Sequence, residues 1–154
     1  MTCALRPEYA TWTWFGRGPD ENYRDRNTGT PVGRHTGPVT KLWHPYVTPC
    51  ETANRTDIRW SEFTDAAGRG LRVRATDGQH LEMAAYPFDQ SDLENNSHPT
   101  DIPLRDHVTI QITHKQMGIG GENSWGAWPL KKYQLPADDG TEYTCTYELA
   151  PIGF

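Results

Sequence analysis

Leu71-Arg72-Val73-Arg74-Ala75-Thr76-Asp77-Gly78-Gln79-His80-Leu81-Glu82-Met83-Ala84-Ala85 has apolar residues at alternate positions on both sides of an Asp-Gly pair. Successive side chains of a strand point to opposite faces, so this alternation describes two strands, each with one apolar face. Asp77 and Gly78 both tolerate positive φ, a hairpin signal, and the stretch predicts two strands paired through that turn. Val108, Ile110 and Ile112 alternate in the same way, as do Tyr143, Cys145, Tyr147 and Leu149 against Glu142, Thr144, Thr146 and Glu148. Ala10, Trp12 and Trp14 fall on one side of a further strand with Thr11 and Thr13 on the other, and Ile58 and Trp60 share a side of another. A single short helix is expected at Ser91-Asp92-Leu93-Glu94, where Ser91 and Glu94 have capping spacing. The expectation is one all-β domain over residues 1–154, with long loops.

Composition agrees. The 154 residues include 14 Gly, 12 Pro, 6 Trp and 7 Tyr, which favours aromatic-rich strands and tight turns over a helix bundle. A net charge of −5 leaves no basic footprint for nucleic acid. No apolar run approaches the roughly 20 residues that span a bilayer, and the first residues resemble no signal peptide, so no membrane contact and a cytoplasmic location are expected. Cys3, Cys50 and Cys145 are odd in number and widely spaced, which suggests neither a disulfide framework nor zinc. The six histidines, His35, His44, His80, His98, His107 and His114, show no metal-ligand spacing, and no metal site is expected.

The unusual residues sit in three loops. The first runs from Gly16 to Tyr23 and continues into the charged Arg24, Asp25 and Arg26. Its Gly16-Arg17-Gly18 is followed at once by Pro19 and by no helical pattern, so no phosphate cradle is expected. Its charges fit a local ion-pair network or a contact with another domain. The second loop is His44-Pro45-Tyr46-Val47-Thr48-Pro49-Cys50-Glu51. The third is Gln116-Met117-Gly118-Ile119-Gly120-Gly121-Glu122-Asn123-Ser124-Trp125-Gly126, with Trp125 as its only bulky aromatic. An indole on a glycine-rich loop can offer a flat apolar face and an edge donor to a sugar, with Glu122, Asn123 and Ser124 as polar neighbours. The same residues also fit an indole plugged into the core. Glycosidic hydrolysis requires two converging carboxyls, and the spacing of Glu21, Glu51 and Glu122 indicates no such pair. No catalytic residue is expected in this chain.

Trp14-Phe15-Gly16-Arg17-Gly18-Pro19-Asp20-Glu21-Asn22-Tyr23-Arg24-Asp25-Arg26 resembles a motif in the last domain of large bacterial β-galactosidases. Pro45-Tyr46-Val47, Pro49, Glu51, Asn54-Arg55 and Asp57-Ile58-Arg59-Trp60 resemble the next motif, and residues 116–126 the third, in the same order. The resemblance runs from about Leu5 to Leu149 and covers the second half of that domain. It implies an antiparallel two-sheet supersandwich similar to galactose mutarotase. It also implies that Trp125 reaches into a galactosidase active site as a sugar platform, with Asn123 and Glu122 nearby and Gly118, Gly120 and Gly121 shaping the loop. Arg17, Glu21, Glu51 and Arg55 become candidate interdomain contacts.

In that family the catalytic glutamates and the magnesium and sodium sites lie in other domains, so this chain alone is expected to be inactive and to hold no cofactor. Its expected partners are a galactoside and the remaining β-galactosidase domains or a large subunit, with homo-oligomers through exposed sheet edges a further expectation. A free-standing galactoside-binding module and a non-functional remnant are the alternatives.

Overall fold

The protein is described by a computed structural model covering residues 1–136 and 140–154. In chain order the strands of the described residues are β1 (Thr2–Leu5), β2 (Thr11–Arg17), β3 (Val32–Pro38), β4 (Arg55–Ile58), β5 (Trp60–Thr64), β6 (Gly70–Ala75), β7 (Leu81–Tyr86), β8 (Val108–Thr113) and β9 (Tyr147–Ile152). They form two antiparallel sheets, a four-stranded one in the order β1-β8-β7-β4 and a five-stranded one in the order β3-β2-β5-β6-β9. The expected all-β, two-sheet architecture is what the chain adopts.

The core lies between the sheets. Trp12, Trp14, Phe63 and Val73 come from the five-stranded sheet, and Ile58, Leu81, Met83, Ala85, Val108, Ile110 and Ile112 from the four-stranded one. Trp12 stacks on Phe63 with centroids 5.5 Å apart and lies 4.7 Å from Trp14. Each indole N–H is satisfied, Trp12 Nε1 donating to Ser61 Oγ at 3.1 Å and Trp14 Nε1 to the Arg17 carbonyl at 2.9 Å. Both rings can therefore be sealed without leaving a donor unpaired.

The Asp77-Gly78 turn forms with both residues at positive φ, 58° and 70°. It does not close a hairpin, however: β6 pairs with β5 and β9, whereas β7 pairs with β4 and β8. The turn is a corner between the sheets, and the apolar faces of β6 and β7 meet across the interior. Alternation records which residues are buried, and side-by-side and face-to-face strands bury the same ones. Ile58 and Trp60 are divided by a second such corner. Arg59 donates its N–H to the Phe15 carbonyl at 2.8 Å and accepts from Ala75 N–H at 2.9 Å. Ile58 is thereby sent into the core, and Trp60 stands beside exposed Phe15 on the outside.

Three further differences concern burial and boundaries. β7 is buried on both faces, because Ala53, Ala84, Tyr86, Phe88, Leu93 and Ile102 form a second apolar cluster against the outside of its sheet. Glu82 is consequently only 6% exposed. β9 begins at Tyr147 and is an edge strand, so Cys145 and Tyr147 pack against the core while Tyr143 and Leu149 stay exposed. The helix α1 (Gln90–Asn95) is present, but its capping box runs from Asp89 to Asp92, with Asp89 N–H donating to Asp92 Oδ2 at 2.9 Å. No helix among the described residues is long and apolar enough to cross a membrane.

Candidate functional site

The third loop leaves β8 and passes through residues 116–120 with alternate backbone N–H groups held by three different elements. Gln116 donates to Glu82 Oε2 at 3.2 Å, Gly118 to the Tyr133 carbonyl at 2.9 Å, and Gly120 to Asp25 Oδ2 at 2.8 Å. A Cβ on Gly118 would lie 2.6 Å from Asp25 Oδ2 and 2.9 Å from Tyr133 Cβ, so this position is glycine for want of space. Gly121 has open space around it but φ of +99°, so there the requirement is conformational.

Beyond Gly121 the loop braces itself. Asn123 Oδ1 accepts from the N–H groups of Trp125 and Ala127 at 2.8 and 3.3 Å, and Glu122 Oε1 accepts from Leu130 N–H at 3.2 Å. Gln134 Nε2 donates to the Pro129 carbonyl at 2.7 Å. The polar side chains are thus turned back onto the loop's own backbone, and the apolar ones are turned out. Trp125 is 91% exposed and Trp128 71%, with Ile119 and Leu130 also exposed. Trp128 lies just past Gly126, where the glycine-rich run ends, and nothing in the alternation or motifs distinguished it.

The first two loops are built the opposite way. Glu21 lies at their junction, accepting from Tyr46 OH, from Arg26 Nη2 at 2.6 Å, from Thr52 Oγ1 at 2.9 Å and from Ala53 N–H at 2.7 Å. Burial alone would raise its pKa, but the bonds from Tyr46, Ala53, Thr52 and Arg26 outweigh it and hold the carboxyl below the usual range. Arg55, 2% exposed, donates to the carbonyls of Pro19, Ala53 and Leu42 at 3.0, 2.8 and 3.0 Å. Its guanidinium lies over Trp12 and Trp14, and burial lowers its pKa to about 10. Arg17 pairs with Asp57 at 2.6 Å and donates to the carbonyls of Asn27 and Thr30. These three candidate interdomain residues make the contacts described within this chain.

Glu51 is different. Burial pushes its pKa up despite a hydrogen bond from the Gln116 side chain, and its Oε1 has no partner among the described residues. Gln116, at the root of the third loop, therefore joins Glu51 of the second loop to Glu82 of β7. Glu82 is pushed up to about 7 by burial, against hydrogen bonds from Asn54 and Gln116 and the charge of Arg24. Asp25 lines an open cleft of about 840 Å³, together with Glu21, Arg26, Trp43 and Tyr46, and so stands between that cleft and the third loop. Among the described residues no three His, Cys, Asp or Glu side chains converge as a metal ion would require.

Comparison with known proteins adds the following. Residues 1–149 match the family described as Beta galactosidase small chain. The chain is 38% identical over 152 residues to a β-galactosidase of Priestia megaterium, covering 99% of the chain and 14% of that protein. It is 36% identical over 143 residues to one from Halalkalibacterium halodurans, covering 93% and 14%. With β-galactosidase BgaC of Bifidobacterium adolescentis the identity is 37% over 136 residues, covering 88% and 13%. The chain spans about 14% of the length of the first two curated relatives.

Proposed function

Because the chain belongs to the β-galactosidase small-chain family, we propose that it presents Trp125 as an apolar platform to a galactoside whose glycosidic bond is cut by carboxyls in another segment of the enzyme. The observation that carries this reading is the third loop's inverted polarity, with polar side chains folded inward onto its backbone and Trp125 held out. An indole so held covers the C–H face of a sugar, while the Asn123 amide and the second Glu122 oxygen meet hydroxyls. The contact is a binding one, exerted on substrate and transition state alike unless the sugar distorts toward the ring.

Glu21 fits other work. It is saturated by its four donors and held as an anion, which suits neither a general acid nor a free nucleophile. The magnesium and sodium implied by the resemblance would be held by the other domains. The partners are then the remaining β-galactosidase polypeptide and the sugar.

Mixing tests the proposal. The purified chain is combined with the Priestia megaterium β-galactosidase lacking its matched segment and assayed on a chromogenic galactoside. Activity is expected in the mixture and in neither component alone, and an inactive mixture of folded components would overturn it. Saturable, Trp125-dependent fluorescence quenching by galactose in the chain alone would favour a free-standing galactoside-binding module instead.

A further inference from the structure

We infer that Asp25 is a positioning residue for the Trp125 loop: its carboxylate fixes the loop's neck, and through it the first loop sets where the indole points. The neck is narrow. Gly120, whose N–H is bonded to Asp25 Oδ2 at 2.8 Å, lies against the opposite limb of the loop, where an added Cβ would stand 3.4 Å from the Ala127 carbonyl and 3.7 Å from Pro129 N. The same carboxylate oxygen leaves no room for a side chain on Gly118. One oxygen of Asp25 thus bonds Gly120, five residues before Trp125, and packs closely on Gly118. Of the three acceptors along residues 116–120 it is the last, and past it the loop's bonds among the described residues come from within the loop and from Gln134.

The Asp25 carboxylate acts here by its shape. Its Oδ1 has no hydrogen-bond partner among the described residues, so an amide in its place breaks no bond there and keeps an acceptor for Gly120, at the stability cost of an NH2 that gains no acceptor. Asp25→Asn should therefore preserve the loop, and Asp25→Ala should release it by leaving the Gly120 N–H without its acceptor. Gly118→Ala approaches the same contact from the other side, displacing the carboxylate with its new methyl.

The inference depends on the sugar-platform reading only for its effect on activity, and the experiment keeps the two apart. Indole N–H resonances of the chain are recorded by NMR, with Trp125 and Trp128 identified by Trp125→Phe and Trp128→Phe. Asp25→Ala is expected to shift and sharpen those two signals and to speed exchange of the Gly120 amide at least tenfold. The Trp12 and Trp14 signals should stay in place, and Asp25→Asn should look native. Should Asp25→Ala fail to fold, Gly118→Ala must give the same selective change. Unchanged Trp125 and Trp128 signals, or equal movement of Trp12 and Trp14, would overturn the inference. In the mixed enzyme Asp25→Ala should lower kcat/KM in the same direction as Trp125→Ala. Loop release without that loss would leave Asp25 as the neck residue and count against Trp125 as a sugar platform.

Discussion

The junction of the first and second loops and the third loop draw on similar residues, glycines, an aromatic and a few acids and amides, yet they face opposite ways. At the junction, polar groups meet one another under cover, with Arg55 against three carbonyls and Glu21 against four donors. In the third loop Glu122 and Asn123 turn back onto backbone N–H groups, and the indoles face water. The difference separates a structural joint from a presenting surface, because buried polar groups must be paired whereas an exposed apolar ring is retained at a cost in solubility. The largest test of the contrast is Arg55→Ala. It leaves three carbonyls without donors and a void beside Trp12 and Trp14, so a loss of about 4 kcal/mol is expected in urea unfolding. A loss under about 1 kcal/mol would mean the joint is no joint.

Glu82 lies under both regions, taking donors from Asn54 behind the joint and from Gln116 at the root of the third loop. Its folded pKa of about 7 exceeds its ordinary 4.5, so the folded state binds the proton more tightly than the unfolded state. Stability from this group is complete below pH 4.5, falls as pH rises toward 7, and is flat above. Over that window the loss is about 3 kcal/mol at most. Glu82→Gln keeps an acceptor and removes the charge, so it should match the parent at pH 4 and exceed it at pH 8. Parallel stability curves for the two proteins across that range would refute the assignment.

Trp125→Ala is the converse of Arg55→Ala. Stability should change by less than about 0.5 kcal/mol, since the ring touches little of its own chain. In the mixed enzyme kcat/KM should fall about tenfold or more, the loss of an apolar contact worth roughly 1.5–3 kcal/mol. The two variants together form a double dissociation, one in melting and one in kinetics.

Much of this was legible in the sequence. The alternation at Val108, Ile110 and Ile112 and at Trp12 and Trp14 located the strands and their inner faces, because burial follows a period of two in any half-covered sheet. Partnership was not legible. Asp77-Gly78 specified the turn conformation, but whether β6 and β7 lie in one sheet or face each other depends on which strands arrive elsewhere in the chain. The alternation puts Glu82 on the wet face of its strand because the second cluster over β7 is assembled from Ala53, Phe88, Leu93 and Ile102, all outside the strand pattern. Asp25 was one charge among several beside the first loop. Its bond to Gly120 spans 95 residues, and no local pattern announces such a contact.

The smallest effect separates two glycines of the presenting loop. A Cβ added at Gly121 would meet nothing within 4 Å, but φ there is +99°, so an L-alanine would be strained by its backbone alone, by about 1 kcal/mol. That strain falls on a loop outside the core, so the melting temperature should stay within error while exchange of the Trp125 and Ala127 amides quickens about fivefold. A D-alanine introduced by semisynthesis has the opposite handedness and should restore the native rate. Gly118 should respond in reverse, its alanine variant resisted by Asp25 and Tyr133 crowding rather than by φ. Partial recovery of stability when Asp25→Ala is added to Gly118→Ala, Tyr133 still crowding the methyl, with no recovery for Gly121→Ala, would show that the neck is held by contact and the tip by conformation.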